Sequence, residues 1–286
     1  MPTVQWFPGH MARSERLIKE SLKRVDLVIE VLDARAPAAS HNPLLRKLIS
    51  SQSRLVVLNK NDLADPAATK LWLARFQEND HTLPTAVSAT RAQGLDSIPR
   101  ICDRMCQGAR WRNRRAIRAL IIGIPNVGKS TLINALSGVI RAKTGAAPGL
   151  TRDIRRIPIT EYLEIFDSPG MLWHKFESTL TGLKLAALGA IKESIVPGEE
   201  LAGEFLSYMA RCYRALLMSR YDLDDVPQPP HELVEKVGRK RGCLLTGGKI
   251  DYTRTSQMVL KDLREGRFGQ LSLEWPDGRG WRDEQE

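Results

Sequence analysis

Gly123-Ile124-Pro125-Asn126-Val127-Gly128-Lys129-Ser130 decides the fold of this 286-residue chain. The spacing is G-x-x-x-x-G-K-[ST], that of a phosphate loop. Residue usage alone produces this pattern in about one chain of this length in a hundred. The flanks agree with it. Ala116 to Ile124 is a short apolar run suited to a buried parallel strand, and Thr131, Leu132, Ile133, Ala135 and Leu136 read as the first turns of a helix. Strand, glycine loop and helix in that order aim the backbone N–H groups of Asn126, Val127, Gly128, Lys129, Ser130 and Thr131 at phosphate, together with the positive end of the helix dipole. Lys129 is expected on the β- and γ-phosphates as the catalytic charge, and Ser130 on Mg2+.

Upstream, the apolar run Leu55-Val56-Val57-Leu58 delivers Asn59-Lys60-Asn61-Asp62, the Asn-Lys-x-Asp pattern that reads guanine in GTPases. The Asp62 carboxylate can accept from both the N1–H and the N2–H2 of guanine, and adenine offers no such pair. A buried, unmatched carboxylate facing adenine costs several kcal/mol. Asn59 and Lys60 complete this base loop. Ser88 and Ala89, placed after Thr85-Ala86-Val87 and before Gly94, fit a second base-contact loop.

Downstream, Asp167-Ser168-Pro169-Gly170 follows Tyr162, Leu163, Ile165 and Phe166 and matches Asp-x-x-Gly. Asp167 is expected to hold a Mg2+ water, and the Gly170 N–H to sense the γ-phosphate. Thr151, in Pro148-Gly149-Leu150-Thr151, falls within the Gly/Ala/Thr-rich stretch 139–154. It is the expected first-switch Mg2+ ligand and catalytic group, ordering with the γ-phosphate. After Gly170, where many GTPases place a water-orienting glutamine, stands Met171. A thioether cannot orient water, so intrinsic hydrolysis is expected to be slow and another group must supply the chemistry. His10, after the turn Trp6-Phe7-Pro8-Gly9, is the candidate; a solvent-exposed or capping histidine is the competing reading. Asn126 is the candidate ligand for a K+ ion standing in for an arginine finger.

The order of these motifs is base, base, phosphate, switch, switch, whereas ordinary GTPases place the base motifs last. The ends of such sheets lie close together, so joining them and cutting elsewhere preserves the core. The expected fold class is therefore α/β: a phosphate-loop GTPase sheet, circularly permuted, followed by an all-α C-terminal domain. Residues 1–175 form the expected GTPase domain and 176–286 the helical one. In the latter, helices are expected at 180–195, 199–219, 231–237 and 254–264, before an irregular acidic tail.

Net charge is +10, from 43 Lys and Arg against 33 Asp and Glu, which favours a polyanion partner beyond the nucleotide. The charge is clustered at Arg110-Trp111-Arg112-Asn113-Arg114-Arg115 with Arg118, at Arg152, Arg155 and Arg156, and at Arg239-Lys240-Arg241. Each cluster alone reads equally as a solvated face. Apolar content of 42% excludes a disordered chain, and no run reaches the roughly 18 apolar residues of a membrane span. Met1 to Trp6 lacks the pattern of a signal peptide. Cys102, Cys106, Cys212 and Cys243 make no paired metal-ligand spacing. A reduced, cytoplasmic protein is expected.

The chain resembles the RbgA/YlqF family of circularly permuted GTPases. The resemblance rests on Trp-Phe-Pro-Gly-His-Met (6–11), Asp-Ala-Arg-x-Pro (33–37), the base motif, the phosphate loop, Lys-Thr-Gly (143–145), Pro-Gly-x-Thr and Asp-Ser-Pro-Gly. In the tail it adds Lys-Arg-Gly-Cys (240–243) and Gly-Gly-Lys-Ile-Asp-Tyr (247–252). It implies a ribosome-associated factor acting late in large-subunit assembly. The implied partners are the large-subunit precursor and its rRNA, with GTP hydrolysis stimulated by the particle and a monomer away from it. Met171 agrees with the family's apolar residue there. Competing readings are a metabolic phosphotransferase, an RNA-binding module with a structural or regulatory GTP site, and a small-subunit assembly GTPase. The last usually carries an added barrel or zinc site, and no such segment is visible here.

Overall fold

The computed structural model describes residues 8–281 except 113, 139–154, 174–175, 177, 192–195 and 228, with backbone alone for 8–12. The chain forms two compact units, divided between Lys175 and Phe176.

In the first unit, apolar and β-branched runs form β1 (Leu27–Asp33), β2 (Arg54–Asn59), β3 (Thr82–Ala86), β4 (Ile117–Ile122), β5 (Arg155–Thr160) and β6 (Leu163–Asp167). Among the described residues they make one six-stranded sheet in the order β3-β2-β1-β4-β6-β5. Every pairing is parallel except β5 with β6. The strand leading into the phosphate loop, fourth along the chain, thus lies in mid-sheet between β1 and β6. This is the arrangement the permuted motif order requires: the two base strands lie on one side of it and the switch strands on the other.

Helices α1 (Pro8–Leu22), α2 (Pro37–Ser40), α3 (Pro43–Leu48), α4 (Pro66–Gln77), α5 (Ser97–Met105) and α6 (Lys129–Ser137) connect or flank these strands. Their starts follow local chemistry. Asn42 caps α3 and Asp65 caps α4, each with proline in the first turn, where its missing N–H costs nothing. β1 is buried along its whole length. Val28, Leu120 and Ile122 pack against Ile18 of α1, Leu45, Ile49 and Met171 in one cluster. Leu32, Val56 and Leu58 pack with Ala64 and Trp72 in another. Each fully buried aliphatic side chain in them contributes about 1.5–3 kcal/mol.

The second unit contains α7 (Thr179–Ala187), α8 (Gly198–Cys212), α9 (Arg214–Tyr221), α10 (Pro230–Lys240) and α11 (Tyr252–Arg264), with α7, α9, α10 and α11 all packed against α8. The single helix expected over 199–219 is two. It breaks at Tyr213 (φ −135°, ψ 41°), whose hydroxyl accepts from the Ser272 N–H at 3.0 Å. The helix expected to run to Ile195 ends instead at Ala187, followed by Gly189 at φ 73°. After α11 the chain is irregular yet packed: Phe268, Leu271, Leu273 and Trp281 are buried, and the Trp281 ring stacks on Tyr208 at 6.0 Å, while the acidic end of the expected tail lies outside the described residues. Short bridges pair Leu244 with Ile250 and Glu274 with Gly280, small β elements in an otherwise helical unit. No described helix is long and apolar enough to cross a membrane.

Candidate nucleotide site

In a parallel sheet the strands deliver their C-terminal residues to one edge, and ligands bind where connections diverge to either side. That point here is between β1 and β4. Asp33, Asn59, Gly123 and Asp167 end or directly follow four neighbouring strands.

The phosphate loop turns at Asn126 (φ 62°) and Gly128 (φ 96°) before α6 begins. A Cβ at 128 would fall 2.4 Å from Asn59 Nδ2, so any side chain there would displace Asn59 as well as strain the backbone. Lys129 is buried; its Nζ donates to Gly123 O and Ile124 O, each at 2.9 Å. Burial lowers its pKa to about 8 against the opposing pull of Asp167. The ammonium is held by two backbone carbonyls, desolvated and suited to a phosphate. Ser130 and Thr131 follow in the first turn of α6.

Asn59 ties the base loops to the phosphate loop. Its Nδ2 donates to Val127 O at 2.8 Å and its Oδ1 accepts from the Ala89 N–H at 3.1 Å. Lys60, in a left-handed conformation (φ 61°), donates to Asn126 O at 2.7 Å and to Asp33 Oδ2 at 2.9 Å. Asp62 lies in the 3-10 turn Asn61–Leu63, its side chain 9% exposed, with Arg91 Nε 3.1 Å from Oδ2. The neighbouring loop closes where Ser88 and Gln93 exchange backbone hydrogen bonds. Asn59, Lys60, Asp62, Ser88, Ala89 and residues 126–131 therefore stand together.

Asp167 is buried at the end of β6, and its charge reaches Lys129. Gly170 lies against the phosphate loop: a Cβ there would be 3.1 Å from both Lys129 Nζ and Pro125 N. Met171 points away from this edge, buried in the core cluster with Ile18 and Ile122. Thr151 lies outside the described residues, as does the His10 side chain; the His10 backbone is in the first turn of α1.

The donor set fits Mg2+. The Ser130 hydroxyl and the Asp167 carboxylate are hard oxygen donors, and no described group of three or more His, Cys, Asp or Glu forms a closed metal cage. Mg2+ binds in this open way, keeping waters and using substrate phosphates as ligands. Held by Ser130 and Asp167, it would neutralise charge building on the phosphate oxygens.

One part of the site was not assigned from sequence. Asp33 stands opposite Asn59 in the β1–β2 register, and its carboxylate takes the Arg35 guanidinium at 2.9 Å through both oxygens as well as Lys60. Burial opposes the charge, but Arg35 and Lys60 together hold the Asp33 carboxyl well below the usual carboxylate range. Burial lowers the Lys60 pKa, an effect Asp33 opposes. Removing one partner of such a buried pair costs about 3–5 kcal/mol. The available signal was an acid ending a wholly buried strand.

Residues 118–201 match the family model described as 50S ribosome-binding GTPase. The chain is 45% identical to ribosome biogenesis GTPase A of Bacillus cereus, over 97% of this chain and 95% of that one. It is 42% identical to ribosome biogenesis GTPase A of Bacillus licheniformis, over 96% and 99%. Among solved structures, GNP-bound YlqF from T. maritima superposes with a TM-score of 0.66 at 25% identity, covering 93% of this chain and 100% of that one. Identity of this extent, on a permuted sheet whose strand ends bring the phosphate and base motifs together, makes the chain a member of the ribosome biogenesis GTPase A family.

Proposed function

We propose that the protein is a cytoplasmic, GTP-hydrolysing assembly factor that acts late on a precursor of the large ribosomal subunit and is monomeric away from it. We further propose that the particle stimulates hydrolysis. The observation that carries this reading is the orientation of Met171. Where a water-orienting side chain would be needed, the chain buries a thioether in the core, so the site can hold GTP without a complete hydrolytic apparatus. The missing group is then supplied on binding, with His10 and Thr151 as this chain's contributions and a K+ ion at Asn126 as a further charge.

The basic surface supports a polyanion partner more narrowly than the sequence implied. Arg112 pairs with Asp103, Arg115 with Asp26, Arg156 with Glu164, and Lys240 lies near Asp222 and Asp224. Arg110, Arg114, Arg155 and Arg239 stay exposed, and these are the expected rRNA phosphate contacts.

The test is GTP turnover by the full chain in potassium buffer, alone and with purified precursor particles. Large-subunit precursors should accelerate hydrolysis on the order of a hundredfold or more, the scale of one supplied catalytic group, and small-subunit particles should not. Equal turnover with and without particles, or stimulation by small-subunit particles alone, would refute the reading.

A further inference from the structure

We propose that Asn42 is a positioning residue for GTP hydrolysis: its amide holds the backbone at Met171 so that the Gly170 N–H stays at the phosphate loop. This rests on the nucleotide-switch reading above.

Asn42 is 1% exposed and precedes α3. Its Oδ1 accepts from Leu44 N at 2.9 Å and Leu45 N at 3.4 Å. Only the oxygen of an amide can accept, so these bonds fix which way the group faces. The Nδ2 is thereby aimed at Met171 O, to which it donates at 2.7 Å. The Asp-x-x-Gly segment is tied elsewhere too. Ser168 Oγ donates to Ile121 O at 2.6 Å and Met171 N to Gly123 O at 3.3 Å, while the Met171 side chain is gripped by the core.

Gly170 is thus bracketed on both sides, and a Cβ there would sit tightly, 3.1 Å from Lys129 Nζ and from Pro125 N. The ties of Ser168 and of Met171 N run to β4 and the loop that follows it. The Asn42 bond alone among these hydrogen bonds comes from the cap of α3, and it connects the exit of the second switch to the helix whose Leu45 packs with Met171. An N–H that must meet a γ-phosphate gains most from being placed beforehand, because the ordering cost is then already met.

Aspartate separates this role from helix capping. Asn42→Asp keeps the acceptor that caps α3 and loses the donor, setting an anion against Met171 O. The full chain would be measured for melting temperature, for affinity to GDP and to a non-hydrolysable GTP analogue, and for single-turnover hydrolysis. The buried carboxylate should lower the melting temperature, but GDP affinity of the folded protein should hold, while analogue affinity and hydrolysis fall about tenfold, the scale of one buried hydrogen bond. An unchanged analogue-to-GDP ratio would reduce Asn42 to a helix cap and overturn the proposal. Should Asn42→Asp not fold, Asn42→Ser retains a capping oxygen with a shorter reach, and the same ratio decides. Gly170→Ala provides the control. If it too leaves the ratio unchanged, γ-phosphate sensing itself fails and the proposal with it. If it lowers the ratio while Asn42→Asp does not, only the Asn42 role falls.

Discussion

Asp62→Ala should lower GDP affinity about a thousandfold, since it removes an acceptor for two guanine N–H groups at roughly 1.5–3 kcal/mol each. Stability should barely change. The Asp62 side chain is largely buried, but its partner Arg91 is 61% exposed and returns to water when the carboxylate is removed, leaving no buried unpaired charge. Asp62→Asn sharpens the prediction. Xanthine carries an oxygen where guanine carries its amino group, so an amide at 62 can donate to that oxygen and accept from N1–H. The variant should therefore prefer xanthosine over guanosine diphosphate. Calorimetric titration with both nucleotides checks this. Undiminished GDP affinity in Asp62→Ala would remove residue 62 from the base site.

Lys129→Ala should lower nucleotide affinity about a hundredfold, close to the 3 kcal/mol upper limit for one charged hydrogen bond. The pH dependence is specific to this lysine. Its folded pKa, near 8, lies below its ordinary 10.5, so between those values the unfolded chain binds the extra proton. The stability of the nucleotide-free protein accordingly rises with pH across that window. Phosphate reverses the bias by favouring the ammonium, so binding above pH 8 takes up a proton and affinity falls by up to about tenfold per pH unit. Calorimetry at pH 9 in two buffers of different ionisation heat should show uptake in the parent and none in Lys129→Ala. Uptake persisting in the variant would assign the proton to another group.

Much of the site was legible because phosphate and guanine restrict residue type and spacing. The runs Leu55–Leu58 and Ala119–Ile122 are apolar without alternation, as strands covered on both faces must be, and each leads into a motif. Asn59 was recognised, but its work differs from a simple base contact: it spans Val127 O and Ala89 N, a geometry set by packing between segments far apart in sequence. Asn42 was invisible for the same reason, its partner Met171 lying 129 residues away. The tie of Asp33 to Lys60 depended on the β1–β2 register, which no local pattern encodes.

In the second unit the helical period runs on through Tyr213, and the break follows from its bond with Ser272, which a window over 199–219 does not contain. The segment 268–281 is polar on average. Its few apolar side chains gave no period, yet Trp281 and Leu273 lie fully in the core.

Hydrogen exchange of the full chain titrated with GDP tests most directly whether these separated segments form one guanine-nucleotide site. Peptides covering 59–62, 88–91 and 123–131 should gain protection together, along one binding curve, with no protection from ATP at the same concentration. Protection confined to 123–131, or equal protection by ATP, would contradict the account.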